Sequence, residues 1–209
     1  MTAVWLNGTL EKVGDARISA FDAGFQHAVG LFETMTARGS RVVHLHQHLD
    51  RLEVSLRETR LSDRLKSGPL SDAIHATVAA AELETSRVRL TISGGDLTLL
   101  HGGAEGHEPT ILIVAQPTTA YPDELYEKGI RATVADARAN PLDPFAAHKT
   151  LAYWPRLAEL QSAAAKNASE ALWFTVSNHL AGGCVSNVIL VKDGEFTTPL
   201  VRGEEPEGV

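Results

Sequence analysis

Four leucines recur at helical spacing in one stretch of the chain and narrow the folds that it can adopt. Leu45, Leu49, Leu52 and Leu56 lie three or four residues apart, so they share one face of a helix that we predict over residues 45–59. A strand-like run, 41–44, comes directly before this helix. A helix with one apolar face must bury that face against another layer, and neighbouring strands provide the candidate.

Strand patterns surround this helix along the first half of the chain. A hairpin is predicted over residues 4–10, because Asn7-Gly8 supplies the positive φ angles of its turn. Residues 88–93 and 110–116 have the composition of strands, and a Gly-rich loop over 94–108 joins them. A second helix is predicted over 71–83, with Ser71 as its cap.

The second half of the chain is rich in predicted strands around one helix. The strands are residues 130–135, 171–176 and 185–192, and Asp193-Gly194 turns the last one back into 195–198. The helix follows residue 149, with Pro155 in its first turn and Leu157 and Leu160 on its inner face.

This arrangement predicts an α/β or α+β protein of two subdomains. We predict an N-terminal α/β subdomain over residues 1–116, a Pro-containing linker over 117–122 and a C-terminal subdomain over 123–209.

Composition excludes several classes of protein. The 209 residues carry a formal net charge of −7, which argues against a general nucleic-acid binder. The single cysteine, Cys184, leaves no intrachain disulfide and no cysteine-based zinc cluster, as is typical of a reducing cytoplasm. The N-terminus lacks the pattern of a signal peptide, and no apolar run is long enough to cross a bilayer. We therefore expect a cytoplasmic protein without nucleic-acid, membrane or metal partners.

One lysine stands out among the six in the chain. Lys149 lies between the Pro-containing loop 140–144 and the following helix, and Leu151, Tyr153 and Trp154 flank it. An apolar setting lowers the pKa of a lysine, and an amine adds to an aldehyde only when it is neutral. By spacing alone, however, a surface lysine at the start of a helix is the better interpretation.

Four segments in order along the chain change that interpretation. Residues 19–25 and 30–35 (SAFDAGF and GLFETM) form the first segment, and 48–52 (HLDRL) the second. Residues 148–151 (HKTL) form the third, and 185–188 (VSNV), followed by KDG and TP, the fourth. Together these segments resemble the class IV pyridoxal-phosphate-dependent enzymes, which include the branched-chain and D-amino acid aminotransferases and aminodeoxychorismate lyase. The resemblance covers nearly the whole chain.

The resemblance implies the two-subdomain class IV aminotransferase fold, like that of D-amino acid aminotransferase, and pyridoxal 5′-phosphate as cofactor. Lys149 would hold the cofactor as a Schiff base and move a proton at the substrate α-carbon. Arg51, a planar donor on a helix, would bind the cofactor phosphate. Ser186 and Asn187 would lie beside the cofactor ring, chiefly through backbone positioning. Family members usually form homodimers, so a homodimer is expected here.

Other residues have alternative roles under this resemblance. Tyr153 could contact the phenolic oxygen of the cofactor or only pack. Glu33 could face the substrate or, as we favour, stabilise local structure through hydrogen bonds. Arg89 or Arg87 could bind a substrate carboxylate, although exposure to solvent is the default for both. His148 is better interpreted as a core or surface histidine, because neighbours in sequence do not share a face.

The chain departs from the family pattern at two places. The family usually has a glutamate that pairs with the pyridine nitrogen, five residues before the Asn of its S-N motif. Position 182 here is Gly182. The family's second phosphate loop, of G-x-T-R type, would begin about where the chain ends, at residues 204–209. We therefore expect a fragment whose second subdomain is incomplete.

The leading functional hypothesis is pyridoxal-phosphate-dependent transfer of an amino group between a small amino acid and a 2-oxo acid. One alternative is aminodeoxychorismate lyase chemistry, in which Lys149 takes the α-proton and pyruvate is eliminated. A second alternative is a non-catalytic homologue or an inactive fragment, for which Gly182 and the early end of the chain are the best support.

Overall fold

The computed structural model describes residues 1–96 and 108–199, which form two compact units. Unit 1 comprises Met1–Ala120 together with His148–Leu151, and unit 2 comprises Tyr121–Ala147 and the described residues from Ala152 onward. Most of the predicted Gly-rich loop 94–108 and all of the segment 204–209 lie outside the described residues. The described residues form the mixed α/β architecture that the sequence predicts.

An antiparallel sheet of six strands forms the centre of unit 1. The strands are β1 (Ala3–Leu6), β2 (Thr9–Glu11), β3 (Gly30–Arg38), β4 (Arg41–Val42), β5 (Thr85–Ser93) and β6 (Thr110–Pro117). Their order across the sheet is β2-β1-β6-β5-β3-β4. The predicted hairpin and the predicted strands at β5 and β6 are confirmed, whereas β3 has no counterpart in the prediction. Its first four residues are all buried, so the alternation that marks a half-exposed strand is absent.

Two helices cover one face of this sheet. They are α2 (Leu45–Glu58) and α3 (Ser67–Ala81), and a short helix, α1 (Ala23–His27), precedes β3. Leu49, Leu52 and Leu56 of α2 are buried in the core with the aliphatic side chains of β5, which confirms the helical pattern. The predicted start of α3 is wrong. The helix begins at Ser67, not at a Ser71 cap, because Pro69 in the first turn needs no backbone hydrogen-bond partner.

Alternation along β5 defines the two faces of the sheet. Val88, Leu90 and Ile92 are fully buried and face the helices, whereas Arg87, Arg89 and Thr91 alternate with them. We call the side that carries Arg87, Arg89 and Thr91 the open face. The sequence-predicted arginines are therefore on the side of the sheet that α2 and α3 leave uncovered.

Residues 149–151 extend the sheet at the outer edge of β3. The backbone N–H of Phe32 donates to the carbonyl of Lys149 at 2.9 Å, and that of Leu151 donates to the carbonyl of Gly30 at 3.0 Å. The prediction assigned Lys149 to the second subdomain. In the structure these hydrogen bonds make the lysine segment part of unit 1. The linker over 117–122 stays a prediction.

Unit 2 contains a three-stranded sheet and a small core. Its elements are α4 (Asp123–Lys128), β7 (Ala132–Ala139), α5 (Trp154–Ala165), β8 (Glu170–Thr175), β9 (Leu180–Gly183) and the hairpin of β10 (Leu190–Lys192) and β11 (Glu195–Thr197). β7 and β8 are parallel, and β8 and β9 are antiparallel. Pro155 lies in the first turn of α5, as predicted.

Two predictions in unit 2 are wrong. Residues 185–189 are not part of a strand, because the chain turns after β9 and Gly183 N–H donates to the carbonyl of Ser186. Leu157 is 39% exposed, whereas Leu160 packs against the core of Ala135, Ala163 and Trp173. Within unit 2 this small core reaches only the later turns of α5.

In residues 1–96 and 108–199, no helix combines the length and the apolarity that crossing a bilayer requires. The same residues contain no cluster of three or more His, Cys, Asp or Glu side chains able to hold a metal ion.

Candidate active site

Lys149 lies on the open face of the unit 1 sheet, beside the ring of Phe32. Thr150 pairs with Leu31, whose side chain is in the core, so the side chains of the residues on either side of Thr150 face the opposite way. The Nζ atom of Lys149 is 5.1 Å from the centroid of the Phe32 ring. The guanidinium carbon of Arg89 is 3.9 Å from the same centroid. A primary amine and a guanidinium thus meet over one aromatic ring.

The pairing of β3 and β5 explains this meeting. Phe32 is opposite Thr91 and Thr34 is opposite Arg89, so Arg89 and Phe32 are diagonal neighbours on one face. The Nε of Arg89 donates to the hydroxyl of Thr91 at 3.3 Å. An arginine held in this way can bind a carboxylate, and a neighbouring amine can attack a carbonyl.

A cavity of about 410 Å³ lies beside these residues in unit 1. Leu151 and Thr91 contribute to its wall, and the side chains of both residues point to the open face. Most of the other lining side chains are apolar or small, among them Ile18, Ala20, Phe25 and Leu112. The volume is in the range of small-molecule sites, which are typically apolar with a few polar groups.

Glu33, a buried carboxylate on β3, holds two side chains of α2 in place. Glu33 is 1% exposed. Arg51 donates to it twice, from Nε to Oε1 at 2.6 Å and from Nη2 to Oε2 at 2.5 Å. His48 Nδ1 is 2.8 Å from Oε2. His48 and Arg51 are three residues apart on α2, so they reach the same carboxylate.

This carboxylate orients the arginine that was predicted to bind phosphate. The hydrogen bonds that Arg51 donates to Glu33 raise the pKa of Arg51. The side chain of Arg51 stays 50% exposed, which leaves part of its fork open to an anion. Both oxygens of Glu33 are engaged, and this favours its structural role over a substrate contact. The substrate contact itself stays a prediction.

His148 faces the opposite way from Lys149. Its Nδ1 is 3.0 Å from the hydroxyl of Ser55, and its Nε2 is 3.5 Å from Oε2 of Glu58. The side chain is 8% exposed. Of the two interpretations, a core or a surface histidine, the structure therefore favours the core one.

The other predicted site residues lie in unit 2. Tyr153 immediately precedes α5, and the guanidinium carbon of Arg156 is 5.9 Å from its ring centroid. Ser186 donates from Oγ to Oε2 of Glu170 at 2.7 Å. Asn187 is exposed. The predicted roles of Tyr153, Ser186 and Asn187 at a cofactor stay predictions.

Gly182 has a backbone conformation that explains why a glycine stands at this position. Its φ is +138°, a value that residues with a Cβ rarely adopt. It pairs with Trp173 next to a bulge in β9. A Cβ at this position would meet only the carbonyl of Ser186, at 3.7 Å. The backbone, not lack of space, therefore disfavours a glutamate here.

Glu170, which the sequence prediction missed, is a buried acceptor in unit 2. Burial alone would raise the pKa of its carboxyl, but hydrogen bonds from Ser186 and from the backbone of Ala171 and Cys184 hold that pKa below its usual range. Burial raises the pKa of the Cys184 thiol, which also receives a hydrogen bond from the indole of Trp173 at 3.2 Å. Cys184 is therefore a core thiol and not a nucleophile.

Phe32 is a second residue that the sequence prediction missed. It was recognised only as part of the G-x-F-E-T segment. The available signal was its position next to Glu33 in a strand, because the side chains of adjacent strand residues point to opposite faces of the sheet.

The fold and the site define a class of two-unit α/β proteins in which a lysine amine and the guanidinium of Arg89 meet on one face of a sheet. The family model for amino-transferase class IV matches residues 30–204. The chain belongs to the class IV aminotransferase family, a family of enzymes. The fold class inferred from the motifs is thus confirmed.

Individual relatives agree with this assignment. A putative branched-chain-amino-acid aminotransferase of Methanocaldococcus jannaschii is 30% identical over 208 residues, which are 99% of this chain and 71% of that protein. A bifunctional aminodeoxychorismate lyase / D-amino acid transaminase of Mycobacterium tuberculosis is 28% identical, over 92% of this chain and 67% of that protein. The branched-chain amino acid aminotransferase of Escherichia coli has the same fold, with a TM-score of 0.86 and 25% identity over 94% of this chain and 67% of that chain.

The family points to pyridoxal 5′-phosphate as the cofactor, and the groups in this structure fit it. Lys149 would provide an amine for the aldehyde. Arg51, half-exposed and held by Glu33, would provide a fork for the phosphate. This donor set agrees with the chemistry of the cofactor.

Proposed function

We propose that the chain carries the cofactor lysine of an aminotransferase that moves an amino group between a small amino acid and a 2-oxo acid. The observation that carries the proposal is the position of Lys149. Its carbonyl is bonded to β3, and its amine lies on the open face next to Phe32 and Arg89. Membership of the class IV family supports it. When bound, pyridoxal 5′-phosphate supplies an aldehyde and an electron sink.

The residues of unit 1 have distinct proposed tasks. Lys149 would hold the cofactor through its amine and, whenever that amine is free, would take and return the proton of the substrate α-carbon. Arg51 binds the phosphate as an oriented fork. Arg89, stacked on Phe32, binds the substrate carboxylate. The neighbouring apolar cavity has room for a small side chain.

The covalent attachment can be tested directly. The chain is incubated with pyridoxal 5′-phosphate, reduced with borohydride, digested and analysed by mass spectrometry. We expect the pyridoxyl mass on Lys149 and its loss in Lys149→Ala. Lys166→Ala is the matched control, because Lys166 only caps the C-terminus of α5. An adduct that persists in Lys149→Ala would mean that another lysine holds the cofactor and would contradict the proposal. A parent chain that never forms the adduct would favour a non-catalytic homologue.

Aminodeoxychorismate lyase chemistry is the second candidate. The M. tuberculosis relative supports this candidate, because it is named for both a lyase and a D-amino acid transaminase activity. Release of pyruvate from aminodeoxychorismate without any 2-oxo acid acceptor would identify the lyase. Amino transfer that requires the acceptor would identify the transferase. The homodimer is likewise a proposal from the family resemblance, and sedimentation analysis of the purified chain would decide it.

A further inference from the structure

We propose that His148 is a positioning residue that keeps Lys149 on the open face by bonding the lysine segment to α2. The proposal rests on the proposed function of Lys149. It concerns a residue that contacts neither the amine nor the open face, and that acts on the amine through the backbone.

The contacts of His148 reach one side of α2. Nδ1 is 3.0 Å from the hydroxyl of Ser55, and Nε2 is 3.5 Å from a carboxylate oxygen of Glu58. Ser55 and Glu58 are three residues apart and therefore lie on the same side of the helix. Ser55 is 6% exposed, and the His148 side chain is 8% exposed. When the ring proton is on Nε2, which lies at ion-pair distance from Glu58, the hydroxyl of Ser55 can donate to Nδ1.

The lysine segment, residues 149–151, needs this anchor because it lies at the edge of the sheet and follows an exposed run. Residues 141–147, which lead into it, are all exposed. On the sheet side, backbone hydrogen bonds from Phe32 and Leu151 hold it to β3. A short edge segment after an exposed run belongs to the least stable parts of a fold. His148 adds a side-chain anchor immediately before the lysine.

The anchor also determines the face that Lys149 occupies. Side chains alternate along an extended segment, so a residue fixed toward α2 at position 148 directs the next one to the open face. A slip of one residue along β3 would turn the amine toward the core. Ser55 and Glu58 thus select the register in which the amine meets Phe32 and Arg89.

Hydrogen exchange tests the anchor without any cofactor. In His148→Leu, which fills the space with an apolar side chain but loses both polar contacts, we expect the amides of Leu151 and Phe32 to exchange roughly fivefold to tenfold faster. Ser55→Ala should accelerate the same amides by a smaller factor. His46→Leu is the control, because His46 is on α2 but 85% exposed, and should leave both rates unchanged.

A rescue variant separates positioning from loss of packing. In His148→Asn the amide oxygen can accept from Ser55 much as Nδ1 does, so exchange at Leu151 should return most of the way to the parent rate. Unchanged exchange in both His148→Leu and Ser55→Ala would overturn the proposal. So would an effect in His148→Leu that His148→Asn fails to reduce.

The amine itself provides a second readout. Pyridoxal 5′-phosphate can bond to Lys149, whereas pyridoxine 5′-phosphate has an alcohol in place of the aldehyde and cannot. We expect His148→Leu to weaken binding of the aldehyde roughly fivefold and to leave binding of the alcohol unchanged. Equal weakening of both ligands would mean a general structural effect and would contradict the proposal.

The two proposals fail in distinguishable ways. If the parent chain forms no adduct at Lys149, the proposed function fails, while the exchange rates still decide whether His148 anchors the segment. If the parent chain forms the adduct but the His148 and Ser55 variants exchange like the parent, only the positioning role fails.

Discussion

At the scale of single residues, one buried carboxylate connects the stability of unit 1 with the orientation of its arginine. Taking a charge out of water costs several kcal/mol unless partners offset the cost. For Glu33 the partners are the bidentate Arg51 and His48, both from α2. The contacts that stabilise the β3–α2 packing are therefore the same ones that hold the guanidinium proposed to bind phosphate.

Replacing this carboxylate tests the connection. We expect Glu33→Gln to lower the free energy of unfolding by about 1–3 kcal/mol, because the guanidinium loses its ionised partner and an amide NH2 faces it in place of one carboxylate oxygen. Urea denaturation followed by circular dichroism measures it. Glu124→Gln, which removes an exposed pair with Lys128, is the control and should hardly change stability. Equal losses in the two variants would contradict the role of Glu33.

At the scale of elements, Asp22 connects α1 with two strands. It caps α1 through the N–H groups of Gly24 and Phe25. Its other oxygen accepts from the hydroxyls of Ser93 in β5, at 2.6 Å, and Thr110 in β6, at 2.7 Å. Asp22 also lies in the wall of the cavity, so it fixes one side of that space.

The charge of Asp22 makes this junction sensitive to acid. Burial alone would raise the pKa of Asp22, but its hydrogen bonds with Ser93, Thr110 and the α1 backbone lower that pKa below its usual range. A carboxyl whose pKa is lower in the folded state stabilises fully above its unfolded-state pKa, about 3.9. That stabilisation is lost as the pH falls through the folded-state pKa.

Substitution with asparagine isolates this contribution. At pH 7 we expect Asp22→Asn to lower the free energy of unfolding by about 1–3 kcal/mol, since the amide nitrogen cannot accept the strand or cap hydrogen bonds. The difference between the two proteins should shrink as the pH is lowered from 5 to below 3, because the aspartate then becomes neutral. Denaturation curves across this range measure the difference. A difference that does not change with pH would refute the prediction.

At the scale of the whole molecule, the two units differ in the side chains that fill their cores. The core of unit 1 contains leucines, isoleucines and valines from α2, α3, β3 and β5. Among the described residues of unit 2, the buried core consists of alanines with Trp173 and Cys184. Burial of apolar area stabilises by roughly 25 cal/mol per Å², so larger side chains stabilise unit 1 more.

This difference predicts the order of local unfolding. In increasing urea, amides of β7, β8 and β9 should lose protection from hydrogen exchange before those of β5. Leu90→Ala, at a fully buried position of β5, should lower the stability of unit 1 by about 2–5 kcal/mol. The amides of unit 1 should then lose protection at a lower urea concentration, closer to that of unit 2. Loss of protection at a single urea concentration throughout the chain would instead mean one cooperative unit.

Much of the fold was predictable because local interactions determine it. The leucine spacing of α2 and the Asn7-Gly8 turn depend on neighbours within a few residues. Motif matching also identified the family and selected Lys149 and Arg51, although their roles stay predictions. Where a signal was misread, a local feature was ambiguous: Ser71 is of a residue type that often caps a helix, but it lies inside α3.

The sequence by itself determined the family, helices α2 and α3, the strands of unit 1 other than β3, and the residue types available for chemistry. Only the tertiary structure decided that residues 149–151 join β3, that Phe32 meets Lys149 and Arg89, and that Glu33 and His148 bond to α2. The physical reason is that these contacts join segments far apart in the chain. Strand pairing and the burial of charge depend on which distant partner satisfies each group, and no local pattern records that choice.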